Sequence, residues 1–199
     1  MKGVLGTGEN SRLEKARKML LKQENGKSYD EAPEDRSPEQ SHFSEGVLVA
    51  LDSSTRRTGY SVYYDGILMK SGCLVCDETN ATIRRMHMMD KIDKLLSEER
   101  PEVICIELMC VRCNMASMRQ LERIVGHVER YAFTHEIGYA ELRPSEWRKA
   151  VCVEGEKVPQ ERAAAKAWSV AKVKEVYGID CNDDEADAIL IGMAYYTEK

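Results

Sequence analysis

VLVALDSSTRRTGYSVYYDGILMKSGCLVCD, residues 47–77, is the stretch that decides the fold. Its first six residues form a short apolar run that ends in Asp52, which is typical of a buried strand. Two runs rich in β-branched and aromatic residues follow, and Asp65-Gly66 between them is the strongest short-range signal for a hairpin. The stretch therefore predicts three consecutive antiparallel strands.

Downstream of these strands, helical and strand patterns alternate. Apolar residues recur at helical spacing over residues 80–98, and PEVICIEL (101–108) predicts a second buried strand. Three antiparallel strands followed by α/β crossovers make a mixed sheet with helices on its faces, and the apolar first and fourth strands should be central. The remaining predicted elements are a strand at 138–142 and helices over 114–136, from Pro144, over 160–177 and, capped by Asn182, over 183–197.

Composition narrows the class of protein. The chain has 199 residues and is 43% hydrophobic, which suits one globular domain with additional segments. No run approaches the roughly 18 apolar residues of a membrane span, and the N-terminus lacks the apolar segment of a secretory signal. Seven cysteines, an odd number, suit free thiols in a reducing compartment better than a disulfide framework. We therefore expect a cytoplasmic protein with no membrane partner.

Residues 1–45 differ from the rest of the chain. Ser11 and Glu14 have the spacing of a capping box and open a short basic segment that predicts a helix to about Gln23. The polar, charged and Pro-containing segment after it predicts a disordered linker. The basic helix is either a nucleic-acid or partner contact or a solvated tail, and charge runs favour the tail. The folded domain is predicted to occupy residues 46–199.

Charge bears on the class of partner. The formal net charge is -5, which argues against a nucleic-acid partner because phosphate binding needs a basic surface. Between Arg119 and Lys174, however, 11 Lys and Arg stand against 8 Glu and no Asp. The acidic excess therefore lies elsewhere, and part of it belongs to a group of carboxylates whose charge metal ions would offset.

These carboxylates lie on three separate apolar segments. Asp52 ends the first predicted strand, Glu107 ends the fourth, and Asp187 lies within DEADAILIGMAYY of the last helix. Asp184 and Asp183 precede Asp187 by three and four residues, so either can share its helix face, and which one joins the group stays open. A buried carboxylate costs several kcal/mol unless it has partners, and the three segments contain no Lys or Arg.

Bound divalent cations would offset both the cost of burying these carboxylates and their mutual repulsion. Ligands that are all oxygen suit Mg2+ or Mn2+ rather than zinc, and two such ions about 4 Å apart can activate a water and stabilise the leaving oxygen of a phosphodiester.

Structural explanations of these acids remain open: Asp52 as a turn residue, Glu107 as a partner of Arg112, and the first acids of the last helix as partners of its dipole. Asp187 fits them least, because it lies past the first turn. Together the acids predict a metal-dependent nuclease.

The same motifs resemble a known family. LDSSTRRTGYSV (51–62) resembles the opening of the RuvC-type Holliday junction resolvases and meets their D-x-[GS]-x-x-x-T-G-Y pattern. VICIEL, with Glu107, is similar to the family's second motif, and DDEADAILIG, with Asp184 and Asp187, to its C-terminal D-x-x-D-A motif. The resemblance covers residues 47–195. It implies the RNase H-like fold, an α/β fold with a mixed five-stranded sheet in the order 3-2-1-4-5, strands 1–3 antiparallel, and helices on both faces.

For function, the resemblance implies a homodimer that binds branched DNA and nicks four-way junctions with Mg2+ through an activated water. Each active site would hold two Mg2+ ions, or Mn2+ in their place. The catalytic and metal-binding residues that the resemblance implies are Asp52, Glu107, Asp184 and Asp187.

RPSEWRKAV (143–151) is similar to a basic segment that contacts DNA in the family. Arg148, Lys149 and Lys157 are therefore candidate DNA contacts, although an ordinary exposed basic face explains them equally well. The sequence departs from the bacterial pattern at Leu108-Met109-Cys110, where many members have an aromatic residue, and in its N-terminal extension. Both departures suggest a divergent phage or mobile-element member, acting in a bacterial or phage-infected cell.

Other interpretations compete with the nuclease. Cys73-x-x-Cys76 and Cys110-x-x-Cys113 have zinc-ligand spacing, but the order 3-2-1-4-5 separates their strands by three spacings, roughly 14 Å, so core thiols are expected. An ATP-binding or phosphotransfer protein of the actin/sugar-kinase type shares the first loop but needs a second domain. A non-catalytic DNA-binding relative would not need all four acids.

The two tryptophans, Trp147 and Trp168, either stack on bases or anchor helices in the core, and anchoring is favoured.

Overall fold

The computed structural model describes residues 46–108 and 115–197. Five strands form one sheet in the order β3-β2-β1-β4-β5, as predicted. The pairs β1–β2 and β2–β3 are antiparallel, whereas β1–β4 and β4–β5 are parallel, so the sheet is mixed. The strands are β1 (Val47–Asp52), β2 (Arg57–Tyr64), β3 (Ile67–Val75), β4 (Val103–Glu107) and β5 (Gly138–Leu142).

The hairpin between β2 and β3 turns at the predicted dipeptide. Asp65 has φ 49° and Gly66 φ 78°, the two positive angles that a tight two-residue hairpin turn requires. Tyr64 and Ile67 pair across it, and the Asp65 carboxylate accepts a hydrogen bond from the Gly46 amide at 2.7 Å. The turn thereby fixes both the register of the hairpin and the start of β1.

Within the described residues five helices accompany the sheet, and a side-chain cap sets the start of three of them. The first begins one residue later than predicted, because Asn80 stays extended and accepts hydrogen bonds from the amides of Thr82 and Ile83. The fourth begins two residues later than predicted, because Glu161 caps it in the same way. The helices are α1 (Ala81–Glu99), α2 (Met115–Thr134), α3 (Pro144–Val151), α4 (Arg162–Tyr177) and α5 (Asp183–Thr197).

The sheet separates two apolar cores, and β1 contributes to both. Leu48 and Ala50 pack on the face covered by α3, α4 and α5, while Val49 and Leu51 pack on the face covered by α1 and α2. This alternation follows from the two-residue period of a strand and confirms that β1 is buried on both faces.

The two tryptophans anchor helices, as predicted. Trp147 of α3 is completely buried, and Trp168 of α4 packs against the same core. Among the helices of the described ranges, none combines the length and the apolar character needed to cross a membrane. The basic helix and linker predicted within residues 1–45 lie outside the described residues.

Candidate active site

Asp52 and Glu107 lie side by side at the carboxyl ends of two parallel strands. Leu51 of β1 is opposite Ile106 of β4, so the next residue of each strand occupies the same edge of the sheet. Leu51 and Ile106 face α1 and α2, and alternate residues point to opposite faces. Both carboxylates are therefore directed toward the face that α3, α4 and α5 cover.

The turn after Asp52 is held by its own side chains. The Thr58 hydroxyl donates to the Ser54 carbonyl at 2.7 Å and accepts from the Ser54 amide at 3.1 Å. The Ser54 hydroxyl in turn accepts from the amides of Arg56 and Arg57 at 3.2 and 3.1 Å. The Ser and Thr of the D-x-S-x-x-x-T-G-Y pattern thus fix a turn that returns the chain to Gly59, directly across from Asp52.

Gly59 allows the last helix to approach the sheet. A Cβ atom at this position would overlap the backbone carbonyl of Asp184, so the first turn of α5 lies directly on β2. The Asn182 side chain caps the helix by accepting from the Glu185 amide at 3.0 Å, as predicted. This docking brings the acidic end of α5 to the edge where β1 ends.

Two hydroxyl groups of β2 fix the rotation of α5. Ser61 donates to the carbonyl of Ala188 at 2.8 Å, and Tyr63 donates to the carbonyl of Ile189 at 2.7 Å. Both bonds are buried and link residues more than 120 positions apart in the chain. They hold the two residues that directly follow Asp187, which fixes the orientation of the helix turn that carries this carboxylate.

The four predicted acids form one electrostatic group. Burial raises the pKa of Asp52 well above its usual range, and the charges of Glu107, Asp187 and Asp184 raise it further. Burial is also the largest cause that raises the pKa of Glu107, Asp184 and Asp187. The structure therefore places Glu107, Asp184 and Asp187 close enough to Asp52 to disfavour its ionisation.

Asp183 and Asp184 differ in their contacts. Asp183 forms a short hydrogen bond with Lys166 of α4, and this bond lowers its pKa. Asp184 lies 3.7 Å from the same ammonium group, yet burial and the neighbouring Asp183 keep its pKa raised. The charge of Asp184 contributes to the raised pKa of Asp52, so it acts on the group that includes Asp52.

Within the described residues, two cations from other elements lie at ion-pair distance from the acids of this site. Lys166 contacts the acids at the start of α5, and Nη2 of Arg148 lies 3.6 Å from Oδ2 of Asp187. Lys166 was not predicted from the sequence, because it occurs in an alanine-rich stretch without a distinctive pattern. Arg148, predicted from the sequence as a DNA contact, has its guanidinium beside Asp187 and over the Trp147 ring, 4.3 Å from the ring centroid.

Trp147 is the second neighbour that the sequence did not reveal. Its indole N–H donates to Oε1 of Glu107 at 2.8 Å, and this hydrogen bond opposes the effect of burial on the pKa of that carboxyl group. Of the other basic candidates, Lys149 and Lys157 are exposed and lie on α3 and the loop after it.

Divalent cations suit this group by its donor chemistry. The donors are all carboxylate oxygens, and Oδ1 of Asp187 is buried with no hydrogen-bond partner in the described part of the chain. Within residues 46–108 and 115–197, no three Asp, Glu, His or Cys side chains are already arranged as a closed metal-binding group. The carboxylates are thus adjacent and under-neutralised, and a bound cation would have to bring their oxygens closer together.

The cysteine alternative receives no support from the fold. Cys73 lies in β3, which β2 and β1 separate from β4, as the predicted strand order requires. Cys73 and Cys76 are free thiols, and Cys76 is buried in the core beneath α1 and α2. Cys110, Cys113 and the proposed Glu107 partner Arg112 lie outside the described residues.

Solved structures share this fold. RuvC of Thermus thermophilus in complex with a Holliday junction substrate superimposes with a TM-score of 0.59 at 16% identity, over 76% of this chain and 93% of that chain. The fowlpox virus resolvase in complex with Holliday junction DNA gives 0.53 at 12% identity, over 76% and 97%. The yeast mitochondrial Holliday junction resolvase gives 0.51 at 12% identity, over 75% and 77%.

A search of curated protein sequences found no match. The sequence model of the family described as crossover junction endodeoxyribonuclease RuvC, by contrast, matches residues 48–195. This range includes every element from β1 to the last turns of α5 and all four acids. The chain therefore belongs to the RuvC family of crossover junction endodeoxyribonucleases.

Proposed function

We propose that this chain hydrolyses phosphodiester bonds of four-way DNA junctions, using divalent metal ions held by Asp52, Glu107, Asp184 and Asp187. One observation carries the proposal: four carboxylates from β1, β4 and α5 lie near one sheet edge, where burial raises the pKa of each and the charges of the other three raise that of Asp52 further. A structural role would not require so much unneutralised charge. Family membership supports DNA as the substrate.

Mg2+ is the proposed ion, with Mn2+ as a substitute, because both prefer oxygen ligands. Two ions per site are proposed, since four carboxylates supply more charge than one divalent ion neutralises. When bound, such ions activate a water and stabilise the leaving oxygen of an in-line displacement. The unpartnered Oδ1 of Asp187 is available to such an ion.

The chain's own residues bind and orient the reacting groups. Asp52 and Glu107 are fixed by the parallel strands β1 and β4, and Asp187 by the docked helix α5. Lys166 pairs with Asp183, whereas the charge of Asp184 acts on Asp52, so Asp184 is the proposed ligand of the two. Exposed Lys149 and Lys157, with Arg148 at the rim, are proposed to contact phosphates, which positions DNA without reading its sequence.

Branched DNA and a second copy of the chain are the proposed partners. The Thermus and fowlpox structures are complexes with Holliday junctions, and they share this fold. A junction has two equivalent strands to cut, so a symmetric dimer would present one site to each. We further propose that residues 46–199 are the nuclease domain, that residues 1–45 are an extension to it, and that the protein acts in the cytoplasm.

The test is cleavage of a synthetic four-way junction with Mg2+, beside linear duplex and single-stranded DNA. Asp52→Asn and Asp187→Asn should each bind the junction but cut it at least about 10³-fold more slowly, because each removes several kcal/mol of metal-dependent stabilisation. Asp180→Asn is the matched control, because Asp180 is a largely exposed carboxylate that pairs with Lys174 away from the site.

Four results would contradict different parts of this proposal. Wild-type cleavage by Asp52→Asn or Asp187→Asn would refute the site. A preference for linear duplex would refute the junction as substrate but not the nuclease, and ATP hydrolysis without nuclease activity would support the kinase-like alternative. Light scattering of the same sample should give twice the 22.6 kDa chain mass, and a monomer mass would refute the dimer.

A further inference from the structure

Helix α3 connects two of the acidic segments. It starts directly after β5, whose last residue, Leu142, is paired with Glu107. Its first turn is closed by Glu146, whose carboxylate accepts from the Arg143 amide at 2.8 Å, and Pro144 occupies its first position. The cap fixes the start of the helix, and the next two residues, Trp147 and Arg148, lie against the carboxylates of the site.

These two adjacent residues serve different carboxylates. The Trp147 indole donates to Oε1 of Glu107 at 2.8 Å, and the Arg148 guanidinium lies 3.6 Å from Asp187. Arg148 also stacks on the Trp147 ring, with 4.3 Å between the guanidinium carbon and the ring centroid. The indole plane is thus fixed by a fully buried environment on the core side and by a cation on the other.

The chemistry of the donor is informative. An indole N–H donates one hydrogen bond, carries no charge and accepts nothing, so it orients a carboxylate without neutralising it. A lysine or arginine at this position would form an ion pair with Glu107 and compete with a metal ion for the same charge. With Oε1 held by the indole, Oε2 is the oxygen left to coordinate.

We propose that Trp147 is a positioning residue for the metal site: it holds Oε1 of Glu107 so that Oε2 binds the divalent ion. The inference rests on the proposed function, because it assumes that Glu107 is a metal ligand. It makes Trp147 more than a core residue. Hydrogen bonds to metal ligands commonly account for about 10- to 100-fold in metal affinity or activity, and that is the expected contribution of this bond.

The test is Trp147→Phe, which keeps an aromatic ring but removes the N–H donor. The Mg2+ concentration for half-maximal junction cleavage should rise about 10- to 100-fold, while the rate at saturating Mg2+ stays within a few-fold of wild type. Calorimetric titration with Mn2+ in the absence of DNA should show the same loss of affinity, so the result does not depend on activity.

Trp168→Phe is the matched control. The Trp168 indole also donates to a glutamate at 2.8 Å, but that glutamate is Glu156, which already has an ion pair with Lys172. The control removes the same chemical group from the same core, and its metal requirement should equal that of wild type. An equal shift in both variants would mean a general packing effect and would overturn the proposal.

A measurement on the wild-type protein covers the case in which Trp147→Phe does not fold. The chain has two tryptophans, so a 15N-labelled sample gives two indole N–H resonances, assigned with Trp168→Phe. Mg2+ should shift the Trp147 resonance and Mn2+ should broaden it, with little effect on Trp168. An unmoved Trp147 resonance in a protein that binds the metal and cuts junctions overturns this inference alone. A wild-type protein that neither binds the metal nor cuts refutes the proposed function itself.

Discussion

Two lysines of helix α4, Lys172 and Lys166, contact partly buried acids, and the two clusters of charge differ in how well they are neutralised. Lys172 donates to Glu156 at 2.8 Å, and the same carboxylate accepts from the Trp168 indole at 2.8 Å and from the Val153 amide at 3.0 Å. Burial alone would raise the pKa of Glu156, but these donors outweigh it and lower it. The protein supplies every partner that this carboxylate needs.

Lys166, six residues earlier on the same helix, contacts acids that outnumber the cations. It lowers the pKa of Asp183, whereas the four proposed metal ligands keep raised pKa values despite Lys166 and Arg148. The difference separates a structural ion pair from a binding site. A balanced pair stabilises the fold by itself, while an under-neutralised group gains stability when a cation binds from outside.

The largest expected difference between the two clusters of charge is in the free energy of unfolding when Glu156 is neutralised. Glu156→Gln leaves the Lys172 ammonium, whose side chain is 2% exposed, without its closest charged partner, and Glu175 remains at 3.8 Å. Breaking a buried pair from one side costs about 3 kcal/mol, so the free energy of unfolding measured in urea should fall by that amount. Junction cleavage at a temperature where the variant is folded should be unchanged. A Glu156→Gln variant as stable as wild type would show that the Lys172–Glu156 ion pair does not stabilise the fold.

Neutralising an acid of the site should act in the opposite direction. Asp52→Asn removes a buried charge that Glu107, Asp184 and Asp187 repel, so the variant without metal should be more stable by on the order of 1 kcal/mol at neutral pH. For a chain of this length that corresponds to a melting temperature about 2–4 °C higher. Thermal melts in EDTA would measure it, and a lower melting temperature would contradict the electrostatic explanation.

The pH dependence of this gain follows from the direction of the pKa shift. The folded protein binds a proton at Asp52 more tightly than the unfolded chain does, so the stability of the wild type falls as pH rises from the unfolded pKa of about 4 toward the raised folded value. The advantage of Asp52→Asn should therefore grow over that interval and vanish near pH 4. Asp180→Asn, on an exposed acid, should show neither effect.

The smallest expected effect concerns Lys166. Its charge lowers the pKa of Asp52, Asp184 and Asp187, so Lys166→Gln should move the acid limb of the pH–rate profile for cleavage to higher pH. The side chain is 34% exposed and screened by solvent, which limits the loss on that limb to about two- to fivefold. Lys174→Gln, an exposed lysine of the same helix, is the control. Equal profiles for the two variants would remove Lys166 from the site.

Local sequence signals were enough to predict the framework of the fold. A tight two-residue hairpin turn requires positive φ angles at both residues, which Asp65-Gly66 can adopt, so this dipeptide located the hairpin. Asn182 located the first residue of α5. Continuous apolar runs identified β1 and β4 as central strands, which placed Asp52 and Glu107 at the same edge. The acids of α5 were harder to place, because no local pattern distinguishes Asp183, which pairs with Lys166, from Asp184.

Contacts that depend on how helices pack against the sheet were not predictable. Lys166 and Lys172 lie in the same Ala- and Lys-rich stretch, and no local pattern shows that one meets Asp183 while the other meets Glu156. Trp147 has the composition of a core residue, and its hydrogen bond to Glu107 follows from the place of α3 after β5. Such partners are set by three-dimensional distance, which a single sequence does not encode locally.

The contact between Gly59 and Asp184 has a consequence for mutational tolerance. It joins main chain to main chain, so the separation of β2 from the acidic end of α5 depends on no side-chain volume. Apolar residues elsewhere in the core can be exchanged, and the carboxylates keep their spacing as long as the helix stays docked. The apolar core can therefore change in sequence while the arrangement of the carboxylates is retained, which is consistent with a fold shared with resolvases at 12 to 16% identity.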